Sequence, residues 1–413
     1  MNTMTFRSGS DPNLSRSRHR GLTPICLSVL LVSACAPQPE ATAPTDYLYV
    51  WAWATDTTRG SVLAVFDLGR DPPALAHILP AEAPSRGAHH IEHDIGPDSL
   101  LFANAFGSGR TFVFDLRTPG QPRLKAALGD AGPFSHPHSY VRLPNGNRLA
   151  TFQWKAGGGL PGGLVELDTA GKAVRWSSAA PPSADSLQVV PYSLTVLPEL
   201  DRVVSTSTHM IEDVGIHVQV WRLSDLALLH TLPVPRASAS HEHAGHDSTH
   251  HRLPGEPRVL ADGKTVMFGT FTCGLYHVTD LDKDPRVVFS LAFPGANCAV
   301  PVVVGKYWIQ TVPGVHALVA LDVSDPAKPV ETSRLIFAPE VEPHWLGVDP
   351  TGRRLAVSSA DKDDPVVRLV NFDPATGMLS SSADAVVLSF RDMAWPDGFR
   401  GDVIPHGIVF GRR

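Results

Sequence analysis

One pattern recurs along this chain and restricts its fold more than any other feature: a Pro-His or similar opening, an apolar run, a tight turn carrying Gly, and a second apolar run. PHSYVRLPNGNRLATFQ from Pro137 and PHWLGVDPTGRRLAVSS from Pro343 align without a gap. HHIEHDIGPDSLLFANA from His89 and PYSLTVLPELDRVVSTS from Pro191 follow the same scheme. EPRVLADGKTVMFGTFT from Glu256 and NCAVPVVVGKYWIQT from Asn297 are looser copies. A third run and often a fourth come next, as in TFVFDL then PRLKAAL, HVQVWRL then ALLHTLPV, and ALVALDV then VETSRLIF. Aliphatic and β-branched content, alternation and turn residues all read as antiparallel strands. The 34 glycines and 37 prolines are spread along the chain, which suits many short strands better than helices. Four-stranded units recurring every ~45–60 residues are the blades of a propeller.

Complete units begin near His89, Pro137, Pro191, Glu256, Asn297 and Pro343. The remainders complement one another. YLYVWAW, SVLAVFDL and ALAHILP lack a first strand, and IPHGIVFG near the C-terminus is a first strand without partners. Joined, they make one more blade. The expectation is an all-β fold, a seven-bladed β-propeller closed by pairing of the C-terminal strand with the N-terminal strands. Closure removes exposed sheet edges and makes 45–413 a single domain.

The first 35 residues read as a processing signal. Arg16, Arg18, His19 and Arg20 precede the apolar run Leu22 to Ala34, which is too short to span a bilayer. Val32-Ser33-Ala34-Cys35 resembles a bacterial lipobox, so Cys35 is the expected lipidation site. An ordinary signal peptide with a chance cysteine is the plainer alternative. Residues 36–44 read as a flexible tether. The expected location is the bacterial cell envelope, lipid-anchored and facing the periplasm or exterior, with the membrane met only through that anchor. A monomer is expected.

The repeat also shows which residues are equivalent. Counting back eleven from Leu101, Leu149 and Leu355 reaches His90, His138 and His344, and His406 has the same Pro-His context on the closing strand. Tyr192 takes the position in the Pro191 unit. First strands line the central channel of a propeller, so four imidazoles converge at one depth. Imidazole suits copper, iron and zinc, and the absence of thiolate argues against a closed structural zinc site. With 19 histidines among 413 residues, four matches in seven slots exceed what chance supplies, although polar residues lining a wet channel remain the bland alternative. Strand alternation is expected to turn His89 away from the face of His90. His136 and His138, two apart, are expected to share a face. His93 and Asp94 lie nearby in sequence. Glu256 opens the fifth unit and can bring a carboxylate to the channel. Glu256 and Tyr192 are the candidate catalytic residues. Cys273 and Cys298 close the second strand of one unit and open the next, so they are expected to form a disulfide in an oxidising compartment. Residues 236–252 form an insertion crowded with His241, His243, His246, His250 and His251, by composition a metal-attracting loop.

AHHIEHD, VVPYSLTVLPELDRVVSTSTH, HVQVWRL, PRVLADGKTVMFGTFTCGLYHV, LGVDPTGRRLAVSS and PHGIVFG together resemble, in order, the selenium-binding protein/methanethiol oxidase family. The resemblance runs through most of the chain after residue 45. It implies a seven-bladed propeller, a histidine-bound copper, and oxidation of a small thiol to aldehyde, sulfide and peroxide. His89, His90, His138 and His406 are the positions that would inherit metal ligation. His344 stands where the family pattern has no histidine, and the N-terminal Cys-x-x-Cys of some members has no counterpart. Four axial histidines are also similar, in architecture alone, to the carotenoid-cleavage oxygenases, which hold iron. The expected function is therefore a metal-dependent oxidoreductase acting on a small-molecule thiol. A metal-binding lipoprotein without catalysis and a protein-interaction scaffold are the alternatives. The net charge of −6 and the lack of a basic stripe speak against nucleic acid. No nucleophile triad, phosphate loop or paired glycosidase carboxylates stand out.

Overall fold

The computed structural model describes residues 47–81, 87–181, 189–237, 251–295, 297–359, 361–381 and 386–411. Cys35, the tether and His241, His243, His246 and His250 lie outside the described residues. The chain forms seven antiparallel blades in a ring, with first, second, third and fourth strands hydrogen-bonded in that order. Blade one is built from both ends of the sequence: Val403–Gly411 is its first strand and pairs with Tyr47–Ala54, followed by Ser61–Asp67 and Ala74–Pro80. The first strands of blades two to seven are Ala88–Ile91, Phe134–Arg142, Pro191–Leu197, Pro254–Val259, Pro301–Val304 and Pro343–Val348. Helical structure among the described residues is confined to three short 3-10 turns.

Burial explains the strand composition. Blades pack face to face, so second strands are covered on both sides and read as continuous apolar runs, as in Leu100–Ala105 and Tyr307–Val312. Fourth strands at the rim alternate, as in Ala173–Ser178, where every second side chain meets solvent. Trp51, Trp221, Trp308 and Trp345 are fully buried, the first three on second or third strands and Trp345 on a first strand. Truncating one such side chain to Ala typically costs about 3–5 kcal/mol.

Several boundaries differ from the sequence expectation. The sixth blade starts at Pro301 rather than Asn297, because residues 297–300 belong to the connection that crosses from the fifth blade. Blade seven splits its outer strand: Met378–Ser380 and Val387–Ser389 both pair with Val366–Asp373. A small hairpin, Met393–Ala394 with Arg400–Gly401, follows before the chain returns to blade one. Cys273 lies in the turn after Val266–Thr270, and Cys298 lies in the connection just mentioned. The two are bonded, with Cα atoms 5.1 Å apart.

Candidate metal centre

Six of the seven first strands break step with their neighbours once, and the break builds the site. In blade two, Ala88 pairs with Ala105 and Ile91 with Ala103, so His89 and His90 together oppose Asn104. His138 and Ser139 oppose Thr151, and Tyr192 and Ser193 oppose Thr206, in the same manner. Gly255 and Glu256 oppose Gly269. His344 and His406 are single extra residues in blades seven and one. Such bulges re-aim side chains. Proline precedes the break at Pro137, Pro191, Pro254, Pro343 and Pro405. It has no N–H to contribute, and a channel-edge strand about to leave its ladder does not need one there.

The residue opposite each bulge latches one blade to the next. Asn104 Oδ1 accepts the His90 N–H at 2.6 Å, and its Nδ2 donates to the carbonyl of His138 at 2.9 Å. Thr151 Oγ1 accepts from Ser139 N and donates to the Tyr192 carbonyl at 2.7 Å. Thr206 links Ser193 N to the Gly255 carbonyl, and Ser358 links Trp345 N to the His406 carbonyl. Thr311 donates to the carbonyl of His344 at 3.1 Å.

This pattern corrects the expected register. His89, not His90, occupies the position of His138, Tyr192, His344 and His406. A fixed count from the second strand fails because the intervening hairpins differ in length by a residue or two. His89 is also not turned away from His90, because both lie inside one bulge where alternation is suspended. Their rings are 4.5 Å apart.

The residues at the second bulge position form a hydrogen-bonded group. Glu256 is buried, with Oε1 3.2 Å from His90 Nδ1 and accepting from Ser139 Oγ at 3.3 Å. Its Oε2 accepts from Ser193 Oγ at 2.7 Å and from Arg258 Nη1 at 2.9 Å. Burial would raise the Glu256 carboxyl, but Arg258 and the bond from His90 hold it well below the usual range. Ser139 Oγ lies 3.0 Å from His90 Nδ1 and 3.2 Å from His138 Nδ1. With its proton given to Glu256, this oxygen accepts N–H from both rings, which leaves their lone pairs on Nε2.

The histidines at the first position are left with nitrogens to spare. His89 Nδ1, His138 Nε2 and His406 Nδ1 are buried without a hydrogen-bond partner. The His406 ring donates to the His89 carbonyl through its other nitrogen. The ring of His89 lies 4.8 Å from that of His138 and 4.4 Å from that of His406. One ring nitrogen from each of His89, His90 and His138 falls within 4.8 Å of the others. Burial, and then the neighbouring imidazoles, push His89 and His406 well below the ordinary histidine value, and burial and His90 do so for His138. These rings are neutral at pH 7. A buried acceptor without a donor costs about 1–3 kcal/mol. Two of the three rings, His89 and His138, belong to the cluster with His90, and such a cluster fits a cation of the imidazole-binding kind.

His344 stands at the rim of this group, 4.5 Å from the His406 ring, with its pKa lowered to about 4 by burial and His90. Tyr192 closes the other side: its ring is 4.0 Å from that of His138 and its hydroxyl 3.4 Å from His90 Nε2. Phe106 lies 5.6 Å from the His138 ring and 6.0 Å from the His89 ring. His136 does not share the face of His138. A left-handed backbone, φ 58°, sends it to Trp154, ring to ring 4.1 Å. His93 stacks on Trp345 at 4.6 Å and accepts from Arg258 Nη2 at 2.8 Å. Beyond it a cavity of about 700 Å³ opens at the far end of the channel, with Asp94 on its wall. His251 is not part of a solvated loop: it is buried, stacks on Phe289 and bonds the Thr272 carbonyl at 2.7 Å.

Asn104, Ser139, Arg258 and Trp345 escaped the sequence reading. One signal for them was present: Ser139 and Ser193 stand at the same step after Pro137 and Pro191 as Glu256 does after Pro254.

No protein-family model and no curated protein matches the chain. Solved structures do match in fold. A hypothetical selenium-binding protein from Sulfolobus tokodaii has a TM-score of 0.71 at 16% identity, covering 90% of this chain and 95% of its own. A putative 6-phosphogluconolactonase from Bacteroides uniformis has a TM-score of 0.59 at 13% identity, covering 89% of this chain and 100% of its own. A periplasmic gluconolactonase from Pseudomonas aeruginosa has a TM-score of 0.58 at 15% identity, covering 88% of this chain and 99% of its own. At these identities the likeness is one of fold, a distant propeller relationship.

Proposed function

We propose that this protein is a metal-dependent oxidoreductase of the cell envelope, with copper held by His89, His138 and His406, His90 and His344 beside them, and a small thiol as substrate. The observation that carries the reading is the cluster of His89, His90 and His138 ring nitrogens within 4.8 Å of one another, beside which His406 adds a further buried nitrogen without a partner. An all-imidazole donor set suits copper, with iron and zinc as the alternatives. When bound, copper or iron supplies one-electron redox chemistry and a site for polarising substrate. The resemblance of the sequence motifs to thiol oxidases supports the substrate class. The overall reaction balances as R–CH₂–SH with O₂ and water giving R–CHO, sulfide and hydrogen peroxide: carbon loses two electrons and oxygen gains two.

The residues of the chain have separable roles in this reading. Ser139 and Glu256 fix the proton of His90 on Nδ1 and hold the ring in place. Tyr192 is buried, and burial followed by Glu256 raises its pKa well above the ordinary value, so its hydroxyl keeps its proton and donates toward His90 Nε2. Phe106 and the Tyr192 ring keep bulk water from the imidazoles. The lipid anchor at Cys35 would place the propeller at the membrane surface.

Metal analysis of purified protein, followed by oxygen uptake with alkyl thiols, tests the reading. About one copper per chain and thiol-dependent peroxide release are expected. Stoichiometric metal without turnover of any thiol would replace it with metal carriage, the second reading, which the crowding of His241, His243, His246 and His250 in one short insertion favours.

A further inference from the structure

A second pocket lies on the side of blade one, and one of its walls, Trp53, also faces the imidazole group. It measures about 320 Å³ and is walled by Trp53, Ala54 and Ile404. The Trp53 indole lies 5.9 Å from the His406 ring. Trp53 and Ile404 are directly paired across the sheet, so their side chains stand on one face. Gly87 also lines the pocket, two residues before His89, as Ile404 is two before His406. Trp53 thus borders both the pocket and the His406 ring, whose Nδ1 lacks a partner.

Its rim carries two cations, and both are already engaged. Arg59 is paired with Asp397 and lies over the ring of Phe399 at 4.1 Å. Lys362 is held by Asp363 at 2.7 Å. Among the described residues no uncommitted charge lines the pocket, and a charged guest loses hydration against an indole and an isoleucine. The volume is about twice that of the roughly 150 Å³ apolar cavity that accommodates benzene. A methyl group alone leaves most of the pocket unfilled.

We propose that this pocket seats the apolar body of the substrate, an uncharged thiol bearing a ring or a branched alkyl group, and so sets specificity. This rests on the oxidoreductase reading but names a separate part of the molecule.

The test begins with the metal-free protein and 4-fluorobenzyl alcohol, an unreactive analogue, followed by ¹⁹F NMR. Saturable binding is expected, weakened at least about tenfold by Trp53→Ala, with 4-fluorobenzoate and 4-fluorobenzylammonium binding at least about tenfold more weakly than the alcohol. Thr57 lies exposed in the turn that lines the pocket, so Thr57→Trp fills it without touching the core and should block the alcohol equally. Equal binding of the charged analogues, or binding unaffected by both substitutions, overturns the proposal. The metal-loaded protein is then given benzyl mercaptan and benzaldehyde is measured. Binding without turnover leaves the pocket standing and removes the oxidase reading. Turnover that neither substitution changes does the reverse.

Discussion

Glu256 of blade five and His90 of blade two meet inside the channel, Oε1 to Nδ1 at 3.2 Å, and Arg258 closes on the same carboxylate from the other side at 2.9 Å. The pair joins blades that are not neighbours in the ring. It also makes the orientation of one imidazole depend on a single buried charge.

Replacing Glu256 by Gln keeps the shape, removes the charge and turns one acceptor into a donor, so only one of Ser139 and Ser193 keeps its bond. Metal affinity should fall about 10–100-fold, the usual effect of losing a partner that orients a ligand. Glu256→Ala strands Arg258 as well, and breaking a buried pair in this way costs about 3–5 kcal/mol. Competition titration with a chelator and urea unfolding measure the two effects. Unchanged affinity in both variants would mean that Glu256 orients nothing.

Ala substitutions at His138 and His406 remove nitrogens that have no other partner, so each should lose the metal while the ring stays folded. His93→Ala serves as the control. Its ring stacks on Trp345 and bonds Arg258, so the variant should keep about one ion per chain. Full occupancy in both His138→Ala and His406→Ala would show that the unpartnered nitrogens are not ligands.

Asn104→Leu removes the latch between His90 and the His138 carbonyl. It leaves a buried N–H and a buried carbonyl unsatisfied, at about 1–3 kcal/mol each. A lower midpoint in urea at unchanged slope is expected, together with weaker metal binding. Thr151→Val should resemble it in stability but disturb Tyr192 rather than His138.

For the metal-free protein the sign of the pH dependence follows from the depressed histidines. Burial lowers His93 and His344 to about 4 from an ordinary 6.5, and also holds His89, His138 and His406 well below it. Between those values the unfolded chain binds more protons than the folded one, so stability rises with pH across that window. Melting temperature should climb steadily from about pH 4 to about pH 6.5 and then level off. A flat profile there would contradict the neutral, buried state of these rings.

The Cys273–Cys298 bond closes a loop of sequence separation 25. Chain entropy assigns such a loop about 3.5 kcal/mol. Cys273→Ser with Cys298→Ser should lower stability by an amount of that order without changing metal content. Calorimetry and metal analysis of the double variant check both halves.

The Pro-His openings and the alternation of apolar runs carried the architecture, because each blade must bury the same faces and so repeats the same pattern. His138, His344 and His406 were legible for the same reason. The exact partners were not. A bulge inserts residues without altering composition, so the equivalence of His89 with His138 appears only when the ladder is seen. Glu256 looked like a free channel carboxylate because Arg258, two residues on, reads in sequence as a surface charge. Asn104 and Thr151 sit in apolar strands where a lone polar residue gives no hint of what it bonds. Trp53 was indistinguishable from core.

On the proposed reading the closing strand would contribute a ligand as well as a seam. Thr55 meets the Asp402 carbonyl across 347 residues of sequence, and His406 lies just beyond. Six blades can stack while the last is still waiting, but no subset of them holds the full set of nitrogens. During synthesis the centre is therefore assembled last, and on the proposed reading ion capture would be a checkpoint on completed folding: a chain nicked, stalled or misclosed near its final strand would bind poorly, so occupancy would report that the circle is whole.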